Sequence, residues 1–188
     1  AVDCACDEAM DTDTHHPFKG NFNLEQLKKL LEAHKGHIAG IIMTITNNSA
    51  GGQPVSMENL RSVRDMAKSE AIPLIIDGAR YAENAFYVKE REHGYHDKSI
   101  LEIAREAFSY ADIFLMSAKK DGLVNMGGVI AIKDNPELFR QCQSRGVPME
   151  GFTTYGGMSG RDMDALAVGL EEALDIHYLR HRTDQVRY

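Results

Sequence analysis

Three cysteines in 188 residues are too few, and odd in number, for a disulfide framework, so a reduced, cytosolic setting is expected. No apolar run approaches the roughly 20 residues that a membrane-spanning helix needs. The opening stretch AVDCACDEAM is acidic and has no basic region leading into an apolar one, so it carries no signal-peptide pattern. Positive charge is not in surplus either: 21 Lys and Arg face 28 Asp and Glu, and the net charge of −7 leaves no footprint for nucleic acid or an anionic membrane. Internal repeats, low-complexity tracts and long linkers are missing. Ala50-Gly51-Gly52-Gln53 lacks the glycine and lysine spacing of a Walker loop or a dinucleotide fingerprint.

What is present is ordinary for a globular domain. A hydrophobic content of 43% against 26% charged residues is enough for one domain with a real core. The chain starts at Ala1 without a methionine and stops at Tyr188 inside a helical pattern, as a processed product or a piece of a longer protein would.

Strand and helix patterns alternate. Asn23 caps a helix carrying Leu24, Leu27, Leu30 and Leu31. The near-continuous apolar run from Ile38 to Thr46 suits a strand buried on both faces. After the turn-rich loop Asn47 to Pro54, Ser56 caps a helix with Leu60, Val63, Met66 and Ala67. Pro73 to Asp77 reads as a second strand, and helix resumes near Tyr81. Ser99 and Glu102 form a capping box, Asp112 to Ser117 a third strand, and Gly127 to Ile132 a fourth. A helix near Pro136 to Arg145 and a long one from about Arg161 close the chain. Such alternation predicts an α/β fold with a mainly parallel sheet covered by helices, and ligands then bind beyond the carboxyl ends of the strands.

Three of those ends carry polar side chains with no packing reason to be there. They are Asn47 and Asn48, then Asp77 with Arg80, then Ser117 with Lys119 and Lys120. Taken singly, an Asp at a strand end is often a helix cap or ion-pair partner, and a Lys pair in a loop is usually solvated. Jointly they suit an anionic cofactor. A pyridoxal ring needs an amine for its aldehyde, a carboxylate to keep its ring nitrogen protonated, donors for its phenolic oxygen, and hydroxyls and cations for its phosphate. Topology alone leaves a nucleotide site open as well.

Whole segments narrow the choice. Thr46 through Ser56, Asp77-Gly78-Ala79-Arg80 with Ala82 through Ala85, Met116 through Asp121, Glu150-Gly151-Phe152 with Thr154 through Gly157, and Pro17 through Phe22 resemble, in order, segments of the tryptophanase and tyrosine phenol-lyase family of β-eliminating lyases.

The resemblance implies part of the large domain of a fold-type I pyridoxal-phosphate enzyme over residues 1–188, without the N-terminal portion and the C-terminal small domain. It implies Lys120 as the cofactor-binding lysine and the base on the substrate's Cα, and Asp77 on the ring nitrogen. Asn48 and Arg80 would face the phenolic oxygen, Ser117 the phosphate, and Lys119 the phosphate and cation region. Asn125 matches a position whose main-chain carbonyl binds potassium in some members. The reaction implied is elimination from an aromatic amino acid, closer to tryptophan (indole, pyruvate and ammonia) than to tyrosine, in a cytoplasmic homotetramer. The alternatives are another enzyme of the same fold, such as an aldolase acting on β-hydroxy amino acids, and a non-catalytic truncated domain.

Other signals read as structural. Cys4-Ala5-Cys6 has no second pair to complete a zinc site, and Cys142 stands alone in a helix. His177 and His181 share a helical face but lack the intervening Glu and third ligand of a zinc-protease helix.

Overall fold

Capping residues set where the helices start in the computed structural model, which describes residues 5–186. Asn23 accepts the Gln26 amide and opens α1 (Leu24–Ala33). β1 (Ile41–Thr44) follows, and after it Ser56 accepts the Asn59 amide to open α2 (Met57–Ser69). β2 (Leu74–Asp77) leads into α3 (Tyr81–Arg91). The capping box of Ser99 and Glu102 closes in both directions at α4 (Ile100–Ser109), which returns to β3 (Ile113–Ser117). β4 (Gly128–Ile132), α5 (Pro136–Met149), α6 (Gly160–Glu172) and α7 (Ile176–Asp184) complete the order.

The four strands lie in the order β1-β2-β3-β4. β1, β2 and β3 run parallel, joined by helical crossovers, and β4 runs antiparallel beside β3. This is the mixed, mainly parallel sheet with helices that the alternating pattern predicts. Because side chains alternate across a strand, the register divides the sheet into two faces. Met43, Leu74 and Ile76 are wholly buried on one face, beneath Leu60 and Val63 of α2, Phe86 of α3 and Ile103 of α4. Each such side chain contributes about 1.5–3 kcal/mol by leaving water. Thr44, Asp77, Leu115 and Ser117 point the other way, with Ile42 and Ile130.

Two expectations change here. The run from Ile38 to Thr46 is a strand only over Ile41–Thr44, and it is buried on one face: Met43 has no exposure, whereas Ile42 is 58% exposed. Pairing begins where the Ile41 amide meets the Pro73 carbonyl, and it ends before Thr46, whose φ of +51° turns the chain away. The long closing helix is two helices. Asp175 accepts the Tyr178 amide and starts α7 afresh after α6 has ended. At α5, Asn135 accepts the Leu138 amide and Pro136 fills the first turn, and the helix runs past Arg145 to Met149. Cys4 and Tyr188 lie outside the described residues.

Candidate functional site

The strand register aligns the carboxyl ends. Thr44 pairs with Asp77, Asp77 with Leu115, and Ser117 stands two residues further along β3, about 7 Å beyond. The chain leaves each end differently. After β2, the Gly78 amide continues the ladder to the Leu115 carbonyl, and the Asp77 carboxylate accepts the Ala79 amide at 3.3 Å. A Cβ on Gly78 would come within 2.3 Å of the Phe114 ring, so only glycine lets the chain pass there.

After β1, Thr46 is buried in left-handed backbone, a conformation that costs a β-branched residue about 1–3 kcal/mol. Its carbonyl accepts Arg80 Nη1 at 3.3 Å, and its hydroxyl donates to Asn84 Oδ1 at 3.3 Å. The buried Asn84 amide also bonds both ways with the Val55 backbone, at 2.9 and 3.0 Å. It therefore closes the base of the loop that presents Asn47 and Asn48. Asn47 is spent locally, its side chain accepting the Ser49 amide. Arg80 lies 3.8 Å from Glu83, which also pairs with Arg182 of α7.

After β3, the lysine segment turns sharply. The Ala118 amide donates to the Gly127 carbonyl and the Leu123 amide to the Lys120 carbonyl. Asp121 is 3% exposed, and its carboxylate accepts the Ala82 and Glu83 amides in the first turn of α3 at 2.8 and 3.2 Å. Burial, then the Glu83 carboxylate, push Asp121 up to about 6, against the pull of those amides and Arg182. Arg80, at the N-cap position of α3, makes no side-chain cap bond, so Asp121 does this work from 38 residues away.

Asn48, Asp77, Arg80, Ser117 and Lys120 all line one open cavity of about 1030 Å³ on the less covered face of the sheet. Two expected residues are not brought to it: Lys119 and Asn125 are exposed and outside its walls. The far wall includes Glu150, Thr154, Tyr155 and Met158, a wall that the sequence motifs pointed to only in part. Asn84 and Asp121 were missed, because nothing local marks either as a tie to a distant loop. Among the described residues, no group of three or more His, Cys, Asp or Glu is placed to hold a metal ion. Cys6 donates to the Lys19 carbonyl, and burial raises its thiol's pKa. No helix of the described residues is long and apolar enough to cross a membrane.

Comparison with known proteins places the chain in a family. The sequence profile of a family described as beta-eliminating lyase matches residues 2–188. A tryptophanase of Salinibacter ruber is 47% identical over 188 residues, all of this chain and 40% of its own length. A tyrosine phenol-lyase of Clostridium tetani is 49% identical over 189 residues, covering all of this chain and 41% of its own. The chain thus spans about two fifths of the curated relatives it matches. A solved structure from Listeria monocytogenes, provisionally named an L-allo-threonine aldolase, superposes with a TM-score of 0.53. It is 20% identical and covers 81% of this chain and 39% of that one, a likeness of fold alone.

Proposed function

The chain belongs to the beta-eliminating lyase family, and from that premise we propose that it carries the cofactor-holding centre of a pyridoxal-phosphate-dependent carbon–carbon lyase. The observation that supports this most is the convergence of an amine, a carboxylate, a guanidinium, a hydroxyl and an amide from three strand ends on one cavity. That donor set fits the group. Lys120 offers the amine its aldehyde requires, and Asp77 a carboxylate for its ring nitrogen. Arg80 and Asn48 offer donors for its phenolic oxygen, and Ser117 a hydroxyl for its phosphate. When bound, the cofactor supplies an electron sink for the charge left at the substrate's Cα.

The chain's own residues do the rest. Lys120 would offer its amine to the cofactor's aldehyde and would serve as the base that takes the proton at the substrate's Cα. Asp77 holds the proton on the ring nitrogen, which keeps the sink effective. Arg80, steadied by the Thr46 carbonyl and Glu83, presents its guanidinium to the cavity. Lys119, exposed and next to Lys120 in the chain, would add positive charge for the phosphate from outside the cavity wall, and the Asn125 carbonyl is the candidate potassium contact. The substrate proposed is tryptophan, giving indole, pyruvate and ammonia. Tyrosine, with phenol leaving, is the second candidate, and the 49% identity to a tyrosine phenol-lyase favours it as much as the 47% favours tryptophan. An aldolase would instead give glycine and an aldehyde, and a non-catalytic domain would give no product.

The test is to incubate the protein with pyridoxal phosphate, reduce with borohydride, and map the modified lysine by mass spectrometry, with Lys120→Ala as control. An adduct concentrated on Lys120 is expected. Even labelling of surface lysines, here and in a longer form of the relatives' length, would overturn the assignment. Product analysis of that longer form with tryptophan, tyrosine and a β-hydroxy amino acid then separates the substrates.

A further inference from the structure

Lys120 faces the cavity, but the residue after it does not. Asp121 is absent from the cavity wall and is buried. Besides accepting the Ala82 and Glu83 amides through its carboxylate, it donates its own amide to the Ala79 carbonyl at 3.2 Å. All three bonds reach residues 79–83, the stretch that holds Arg80 and begins two residues after Asp77. The next residue is pinned from the opposite side. A Cβ on Gly169, in the last turn of α6, would lie 2.0 Å from the Gly122 carbonyl oxygen, and one on Gly122 would lie 2.8 Å from Leu166 Cδ1. Backbones this close leave the turn no freedom to slide.

We propose that Asp121 is the positioning residue of the site: it anchors the Lys120 turn to the first turn of α3 and so fixes the amine relative to Asp77 and Arg80. The proposal rests on the cofactor assignment above for what the amine meets, and on the hydrogen bonds for the anchoring itself. Two buried amides left without an acceptor would draw in water or move the turn. A displacement of about 1 Å at a reacting group costs on the order of 100-fold in rate. Glu83, Arg182 and Tyr81 are the other ionisable groups that face the carboxylate. Both amides meet the same carboxylate oxygen, so what the anchoring uses is one acceptor atom. An asparagine at this position offers the same oxygen.

The test separates capture from binding. Pyridoxine 5′-phosphate has the ring and phosphate of the cofactor but no aldehyde, so its dissociation constant reports the site without Lys120. With pyridoxal phosphate, the amine condenses with the aldehyde, releasing water, and borohydride fixes the bond as a secondary amine. The rate of that fixation on Lys120 reports the amine's position. In Asp121→Ala, pyridoxine phosphate affinity is expected to stay within about 2-fold while Lys120 fixation slows at least about 10-fold. Asp121→Asn is expected to restore most of the rate. Unchanged fixation in Asp121→Ala would overturn the proposal. So would equal losses of both readouts in Asp121→Ala and Asp121→Asn, which would mark a structural role only. If the unsubstituted protein itself fails to label Lys120, the cofactor assignment fails instead. The anchor is then judged by amide exchange at Ala82 and Glu83: acceleration in Asp121→Ala supports it, and no change refutes it.

Discussion

The two faces of the sheet are built from similar letters and do different work. On one, Met43, Leu74 and Ile76 have no exposure and lie under three helices. On the other, Ile42 and Ile130 are 58% and 59% exposed, and between them stand Thr44, Asp77, Leu115 and Ser117 at the mouth of the cavity. Burial on the first face supplies stability. The second keeps polar groups half-solvated and able to meet a ligand. Where one face is packed and the other carries the site, substitutions should sort by face: stability lost on one side, chemistry on the other.

The sharpest division is expected from Lys120→Ala. It should reduce cofactor fixation at this position to background, a loss of 100-fold or more by order of magnitude, while the melting temperature moves by no more than about 2 °C. A large drop in melting temperature would show that the lysine also holds the fold. Next in size, Ile76→Ala should cost about 2–5 kcal/mol in denaturant unfolding, from lost burial and a cavity. Ile42→Ala, on the adjacent strand but on the other face, should stay within about 0.5 kcal/mol. Equal costs would break the distinction.

A third test concerns acidity. Asp121 titrates near 3.8 when unfolded and is pushed up to about 6 by burial when folded. Between those values the folded chain keeps a proton that the unfolded chain has lost. Its contribution to stability is therefore greatest below about pH 4 and falls as pH rises through about 6, by roughly 3 kcal/mol in all. Glu106 works in the opposite sense. Burial would raise it, but bonds from Lys98, Tyr95 and Tyr110 outweigh this and lower it from 4.5 to about 2, so its contribution is full above about pH 4.5 and is lost progressively as pH falls to about 2. Subtracting the stability profile of Asp121→Asn from that of the unsubstituted chain isolates the first effect. The variant should be the more stable above pH 6, and the two should converge near pH 4. A smaller loss than that of Ile76→Ala is expected of Ser99→Ala, about 1 kcal/mol from the capping box of α4, with Lys120 labelling unaltered.

Much of this was legible where the signal is local. Asn23, Ser56 and Ser99 mark helix starts because their partners lie three residues on. The order of strand ends put Asn48, Asp77, Arg80, Ser117 and Lys120 together because parallel strands share one carboxyl edge. What was hidden acts over distance. Glu92 caps α2 by accepting the Met57 and Glu58 amides, 35 and 34 residues away, and Asp121 caps α3 in the same manner. Neither looks different from a solvated acid. Nor could the apolar run around β1 say which of Ile42 and Met43 would be covered, since alternation shows itself only when one of the two faces is written with polar residues. Asp175 is the opposite case, a cap visible in the letters at a place where one long helix was expected.

Long-range capping also gives the molecule an order of assembly. During synthesis the first turn of α3 emerges with its amides open, and it waits for a carboxylate encoded 38 to 39 residues later. At about 5–20 residues per second that interval is roughly 2–8 s, long against the microseconds in which a helix forms. Until then α3 can fray and re-form at its leading end. The carboxylate that ends this wait follows directly on Lys120 in the chain, so completion of the helix and delivery of the amine to the sheet edge are one event.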